Sequence, residues 1–210
     1  MNDKYYHVYN RGVDKRQIFQ NESDYYRFLA GMIIFNDIQN KANLTKTLKE
    51  ALNEADKRKK IVDIIAYCLM PNHFHLILKQ CVDGGIPLFL KKLGIGYTHY
   101  FDKKYERSGV LFQGKSKNSL IDNDAYLLHL SRYIHLNPAE LDLGADDKFD
   151  FVENYPWSSC RFYTQNKPTK ILSGQEIVLE QFKGNSDYVS FLKDYQEERD
   201  LALVKDYLFD

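Results

Sequence analysis

Two histidines separated by one aromatic residue, His73-Phe74-His75, can hold a metal ion together. On a strand successive side chains point to opposite faces, so both imidazoles share a face while Phe74 enters the core. Two neutral imidazoles so placed can chelate one divalent ion and leave positions open for a third ligand and a phosphate oxygen. The same triplet also arises on half-buried strands that do no chemistry. Pro71-Asn72 just before it sets a turn at the edge of the sheet, which favours a site.

Tyr133 and Asn137 are the second constellation. Four residues apart on one helix, they project from one face. A phenol is a poor nucleophile until it is deprotonated or polarised, and a nearby cation assists. The Asn137 amide oxygen, one turn on, can complete a metal's ligand set. Tyr126, Leu130, Tyr133 and Asn137 nevertheless fall at steps of four, three and four, which is also the pattern of a core-facing stripe. With 16 tyrosines in the chain, spacing alone leaves both roles open.

The elements that must position these residues follow from periodicity. Tyr5 to Asn10 reads as a first strand closed by Arg11-Gly12. Asn21 or Ser23 caps a helix with an apolar stripe of Tyr26, Leu29, Ala30, Ile33 and Ile34. Leu44, Leu48, Leu52 and Ala55 mark a short amphipathic helix. Ile61 to Cys68 is a buried strand, Leu69 to Asn72 turns the chain, and His73 to Leu78 returns beside it. Pro87 to Tyr105 reads as a helix interrupted in propensity by Gly94 and Gly96. Val110 to Ile121 contains strand-like segments. Asp122 or Asn123 then caps a helix that Pro138 halts after Asn137. The layout is α+β, an antiparallel sheet with helices on one face. Residues 1–155 form the main domain and 156–210 a C-terminal extension, helical beyond Thr164.

A chain with 44% hydrophobic and 28% charged residues is an ordinary globular protein. No apolar run approaches the roughly 20 residues that span a bilayer, and the polar start resembles no signal peptide, so a cytoplasmic location is expected. Cys68, Cys81 and Cys160 lack a paired ligand spacing and read as packing residues in a reduced setting. The net charge of +0 excludes a protein that coats nucleic acid by overall charge. Locally the balance is uneven. Lys91, Lys92, Lys103, Lys104, Arg107, Lys115 and Lys117 cluster against only Asp102 and Glu106, and residues 118–160 are strongly acidic. The basic stretch suits phosphate contacts, and Tyr97, Tyr100 and Tyr105 within it can stack on unpaired bases. A helix with an aromatic core face and a basic solvent face would look the same.

The segments YHVYNRG, AYCLMPNHFHLIL, RSGVLFQGKSK and YLLHLSRYIHLNP resemble, in order, the motif blocks of the REP-associated tyrosine transposases. These are relatives of the insertion-sequence transposases in the HUH (His-hydrophobe-His) superfamily. The resemblance covers roughly residues 5 to 140. It implies a ferredoxin-like sheet, a metal pair at His73 and His75, a third amide ligand at Asn137 and a nucleophile at Tyr133. It also implies that Asn10 and Arg11 reach DNA from the first strand. The implied reaction is transesterification of single-stranded or hairpin DNA through a 5′-phosphotyrosine with Mg²⁺ or Mn²⁺, by a monomer or a homodimer. Two departures stand out: an acidic continuation, AELDLGADD, after the nucleophile helix, and GKSK where relatives carry a bulkier residue. Competing classes are a catalytically silent hairpin-binding protein and an unrelated metal hydrolase. The hydrolase would need further His or Asp ligands, and His7, His99, His129 and His135 show no ligand spacing.

Overall fold

The apolar alternation resolves into four strands in a computed structural model, which describes residues 3–39, 46–141 and 147–195. In chain order these are β1 (Tyr5–Arg11), α1 (Glu22–Ile34), α2 (Leu48–Asn53), β2 (Val62–Met70), β3 (His73–Gln80), α3 (Gly85–Lys104), β4 (Lys117–Ile121) and α4 (Asp124–Leu136). All strand pairs are antiparallel in the order β2-β3-β1-β4. With α1 and α3 as the connections, this is the expected ferredoxin-like arrangement. Of the α2 stripe, Leu44 lies outside the described residues.

The alternation on β3 decides which helix packs where. Phe74 meets Phe28 of α1, with ring centroids 5.0 Å apart, and Phe28 in turn meets Tyr97 of α3 at 5.1 Å. His75 points the other way, toward α4. The two ferredoxin-type helices therefore share one face, as expected, while α4 occupies the opposite face. Glycine allows α3 to approach α1. A Cβ on Gly96 would run into the Phe35 ring just past α1, so a residue that weakens an isolated helix is required here by packing. The helix continues unbroken through Gly94 and Gly96.

After α4 come α5 (Lys148–Asn154), α6 (Cys160–Thr164), α7 (Glu176–Leu179) and α8 (Asn185–Lys193). The stretch from Trp157 to Ser173 covers the outer edge of β2. Leu69 N–H donates to the Trp157 carbonyl (2.9 Å), Ser159 N–H to the Tyr67 carbonyl (2.9 Å), and Ser173 N–H to the Ile64 carbonyl (2.8 Å). Trp157 also stacks on Tyr25 of α1 at 4.4 Å, joining this edge segment to the helix layer. Beyond Thr164 the described residues are helical only in α7 and α8. All three cysteines are free, with Cys68 and Cys160 buried in the core.

Candidate active site

β3 brings His73 and His75 to one face, with ring centroids 5.1 Å apart and planes nearly perpendicular (88°). α4 delivers Tyr133 to the same place. The helix starts at Asn123, whose side-chain oxygen accepts from Tyr126 N–H (2.7 Å). Tyr126, Leu127, Leu130 and Ile134 then bury its inner face. One turn of that stripe sets the Tyr133 ring edge-on to His75, with centroids 5.5 Å apart and planes at 90°. The next turn sets Asn137 Oδ1 3.0 Å from His73 Nε2. The four residues singled out from sequence for metal and nucleophile chemistry thus converge within one chain.

Burial keeps the imidazoles neutral. It pushes the His73 pKa down, with the Asn137 contact opposing and the Arg11 charge reinforcing the shift. His75 is driven well below the usual histidine range by complete burial, and then by its neighbours His7 and His73. Neutral imidazoles are the form that ligates metal. His73 carries a further sign. Its Nδ1 lies 2.7 Å from Asn72 Oδ1, and its Nε2 faces Asn137 Oδ1. A neutral imidazole has one N–H for two oxygens, so one contact brings two lone pairs together. A cation between His73 Nε2 and Asn137 Oδ1 resolves this conflict, as would a turned amide. Among the described residues Asn137 Nδ2 is buried without a hydrogen bond of full geometry, although the amide interacts with the Tyr133 phenol and opposes the rise in its pKa. The donor set of two imidazoles and one amide oxygen fits a divalent ion. Among the described residues no group of three or more His, Cys, Asp or Glu side chains is arranged to hold one.

Tyr133 is half-buried, and its phenol is pushed up to about 12, by burial first and then by the negative charge of Glu140. It lines a cleft of about 440 Å³ together with Glu140, Lys148, Phe149, Lys193 and Tyr195. Sequence reading missed this wall, as well as Glu140. It also missed His7, which lies fully buried with Nε2 3.0 Å from His75 Nδ1.

The expected DNA contacts divide. Arg11 pairs in register with His73, and Lys117 pairs with Tyr9, which itself pairs with His75, so both project on the site's face. Lys115 is exposed in the adjoining loop. Asn10 points to the other face and is buried. Its amide donates to the Gly114 carbonyl (3.1 Å) and the Ser116 hydroxyl (3.3 Å), bracing the loop rather than reaching outward.

The α3 residues lie across the sheet from Tyr133, and the fold does not bring them to the site. Tyr97 is not a stacking platform: it is 2% exposed and its hydroxyl donates to the Ile18 carbonyl. Lys104, Tyr100 and Tyr105 all donate to the buried carboxylate of Asp24, at 2.6, 3.0 and 2.7 Å. Lys92 donates to the Asp37 carbonyl (2.7 Å), and Arg107 pairs with Asp102 (2.6 Å). Lys91 and Lys103 are exposed on the far side of the helix layer. Lys92, Lys104 and Arg107 are thus held in the framework, Lys104 because the desolvated carboxylate of Asp24 needs a cation.

No helix among the described residues is long and apolar enough to cross a membrane. No curated protein matches this chain. Among solved structures, a REP-associated tyrosine transposase bound to a REP hairpin is similar at 14% identity and a TM-score of 0.49, over 83% of this chain and 87% of that one. A tRNA(His) guanylyltransferase from Saccharomyces cerevisiae is similar at 11% identity and a TM-score of 0.38, over 97% of this chain and 77% of that one. The family described as IS200-like transposases matches residues 2–137, a span that opens before β1 and closes on Asn137. With more than half its length matched, and with the matched span containing His73, His75, Tyr133 and Asn137, the chain belongs to the IS200-like transposase family.

Proposed function

We propose that this protein is a REP-associated type of tyrosine transposase that cuts and rejoins single-stranded, hairpin-associated DNA, with Tyr133 as nucleophile. The perpendicular contact of Tyr133 with His75 within a single chain carries this reading. It also favours a monomer that holds its whole site, over a dimer that exchanges the nucleophile helix. His73, His75 and Asn137 would hold Mg²⁺ or Mn²⁺. When bound, the ion supplies Lewis-acid stabilisation of the charge that develops on the phosphate.

The chain's own residues do the rest. Tyr133 Oη loses its proton and attacks phosphorus, forming the phosphotyrosine bond while the P–O3′ bond breaks. The departing 3′-oxygen takes up a proton and becomes a free hydroxyl. The phosphodiester is exchanged rather than hydrolysed, so the reverse attack by a 3′-hydroxyl rejoins a strand without ATP. Arg11, Lys115 and Lys117, on or beside the site's face, hold the backbone phosphates. The cleft bounded by Lys148, Phe149 and Lys193 accommodates nucleotides beside the scissile bond.

Covalent capture tests the proposal. Hairpin-bearing single strands labelled at one end, incubated with the protein and Mn²⁺, should give adducts that survive a denaturing gel. Tyr133→Phe should abolish the adduct with DNA binding near normal, and His73→Ala should reduce cleavage to background at every Mn²⁺ concentration. Adducts undiminished in Tyr133→Phe would sink the assignment.

A further inference from the structure

His7 is fully buried on β1, and its Nε2 lies 3.0 Å from His75 Nδ1, the two rings meeting edge to edge with centroids 5.2 Å apart and planes within 14° of parallel. Packing alone does not call for this arrangement. Two polar rings in a dry core are costly unless their nitrogens answer one another, and an aliphatic side chain would fill the same space. A shared hydrogen bond between two neutral imidazoles contains one proton, which admits two arrangements. If His7 donates, His75 Nδ1 accepts, and the only N–H of His75 moves to Nε2, where it blocks a ligand. If His75 donates from Nδ1, His7 Nε2 accepts and His75 Nε2 keeps a bare lone pair.

We infer that His7 is a positioning residue that accepts the Nδ1–H of His75 and so fixes the tautomer in which His75 Nε2 is free to ligate a divalent ion. The inference rests on the metal reading proposed above for His73, His75 and Asn137. His7 replaces the carboxylate or carbonyl that more often orients a metal-binding histidine from behind. A neutral acceptor suits this place, because a buried carboxylate there would carry an uncompensated charge whenever the ion is absent. Tyr9, two residues beyond His7 on β1, packs its ring against both imidazoles, 4.8 Å from His7 and 5.9 Å from His75.

Two measurements on the full chain decide the matter. In histidine-labelled protein without metal, long-range nitrogen–proton NMR should show His75 protonated at Nδ1 and bare at Nε2. A proton on His75 Nε2 would overturn the proposal. Calorimetric titration with Mn²⁺ should show His7→Phe binding about 10–100-fold more weakly than the parent. His7→Gln, whose amide oxygen can stand where Nε2 stands, should recover most of that loss. Equal Mn²⁺ affinity in His7→Phe and the parent would overturn it as well. If His7→Phe does not fold, the comparison of His7→Gln with the parent and the parent's own spectrum still decide. A parent chain that binds no Mn²⁺ would count against the metal reading instead, while the tautomer spectrum would still judge the role of His7.

Discussion

His135 Nδ1 lies 2.7 Å from the Tyr188 hydroxyl, tying the helix that carries Tyr133 to α8 in the C-terminal extension. The opposite ring nitrogen lies 2.8 Å from Ser159 Oγ. Ser159 gives its own proton to the Tyr67 carbonyl (3.1 Å), so His135 Nε2 donates to Ser159 and Nδ1 accepts from Tyr188. Arg132, 1% exposed, completes the clamp by donating to the Phe191 carbonyl (2.9 Å) and lying over the Phe191 ring at 3.9 Å. The outward side of α4 is thereby fixed while its other side presents Tyr133.

Removing one hydroxyl tests the clamp. Tyr188→Phe leaves His135 Nδ1 without its donor in a fully buried site, at a cost of about 1–3 kcal/mol. The urea midpoint should fall accordingly, and covalent capture by Tyr133 should fall with it. A midpoint unchanged from the parent would mean that the bond contributes nothing.

The same imidazole makes stability depend on pH. Burial drives His135 from 6.5 down to about 3. The folded pKa lies below the unfolded one, so between these values the unfolded chain binds the extra proton, and stability falls as the pH drops. The contribution is complete above about 6.5. Each unit below that costs about 1.4 kcal/mol, so lowering the pH to 5 should cost about 2 kcal/mol through this group. His73 and His75, shifted the same way, add to the loss. Denaturation curves at pH 7 and pH 5 that coincide would contradict a buried neutral His135.

Glu140 adds to the rise that burial imposes on the Tyr133 phenol. Its negative charge is the second cause, after burial, of the raised Tyr133 pKa. Glu140→Gln should lower that pKa and raise the tyrosinate fraction at neutral pH. Strand cleavage at pH 7 should accelerate severalfold, with the pH–rate curve displaced toward lower pH. A slower variant would show that the carboxylate takes part in proton transfer or ion binding.

Lys117 and Lys103 should behave differently although both are exposed. Lys117 stands on the site's face, with its ammonium 5.9 Å from the Tyr9 ring, whereas Lys103 lies on α3 across the sheet. Lys117→Ala should weaken single-strand binding and reduce the slope of log affinity against log salt by about one. Lys103→Ala should leave cleavage unchanged. Equal effects would mean that the strand runs over both faces.

Gly96→Ala should destabilise the helical layer by about 1–3 kcal/mol, because the new methyl group must displace the Phe35 ring. Gly94→Ala, which meets nothing within 4 Å, should be neutral or stabilising. Thermal unfolding of the pair checks both signs.

The local elements that build the site were legible because each obeys a short-range rule. Alternation put His73 and His75 on one face, the helical stripe joined Tyr133 to Asn137, and Asn123 and Pro138 bracketed α4. What stayed hidden depends on how distant segments meet. His7 reaches His75 only because β1 lies beside β3 in a register that pairs His7 with Ile77 and Tyr9 with His75. Nothing in YHVYN states that register. Likewise the basic and aromatic residues of α3 read equally well as a DNA face and as a scaffold. Asp24, on another helix and fully buried, draws Lys104, Tyr100 and Tyr105 into the scaffold, while Lys91 and Lys103 stay exposed.

The coverage of β2 by residues 157–173 has a practical consequence for anyone trimming this chain. A fragment ending near residue 155, where composition suggests a natural cut, would strip the backbone of Ile64, Tyr67 and Leu69 of its partners along an apolar strand. Such a naked margin is a template on which further copies can add, so the shortened protein should be recovered as aggregates rather than as a smaller enzyme.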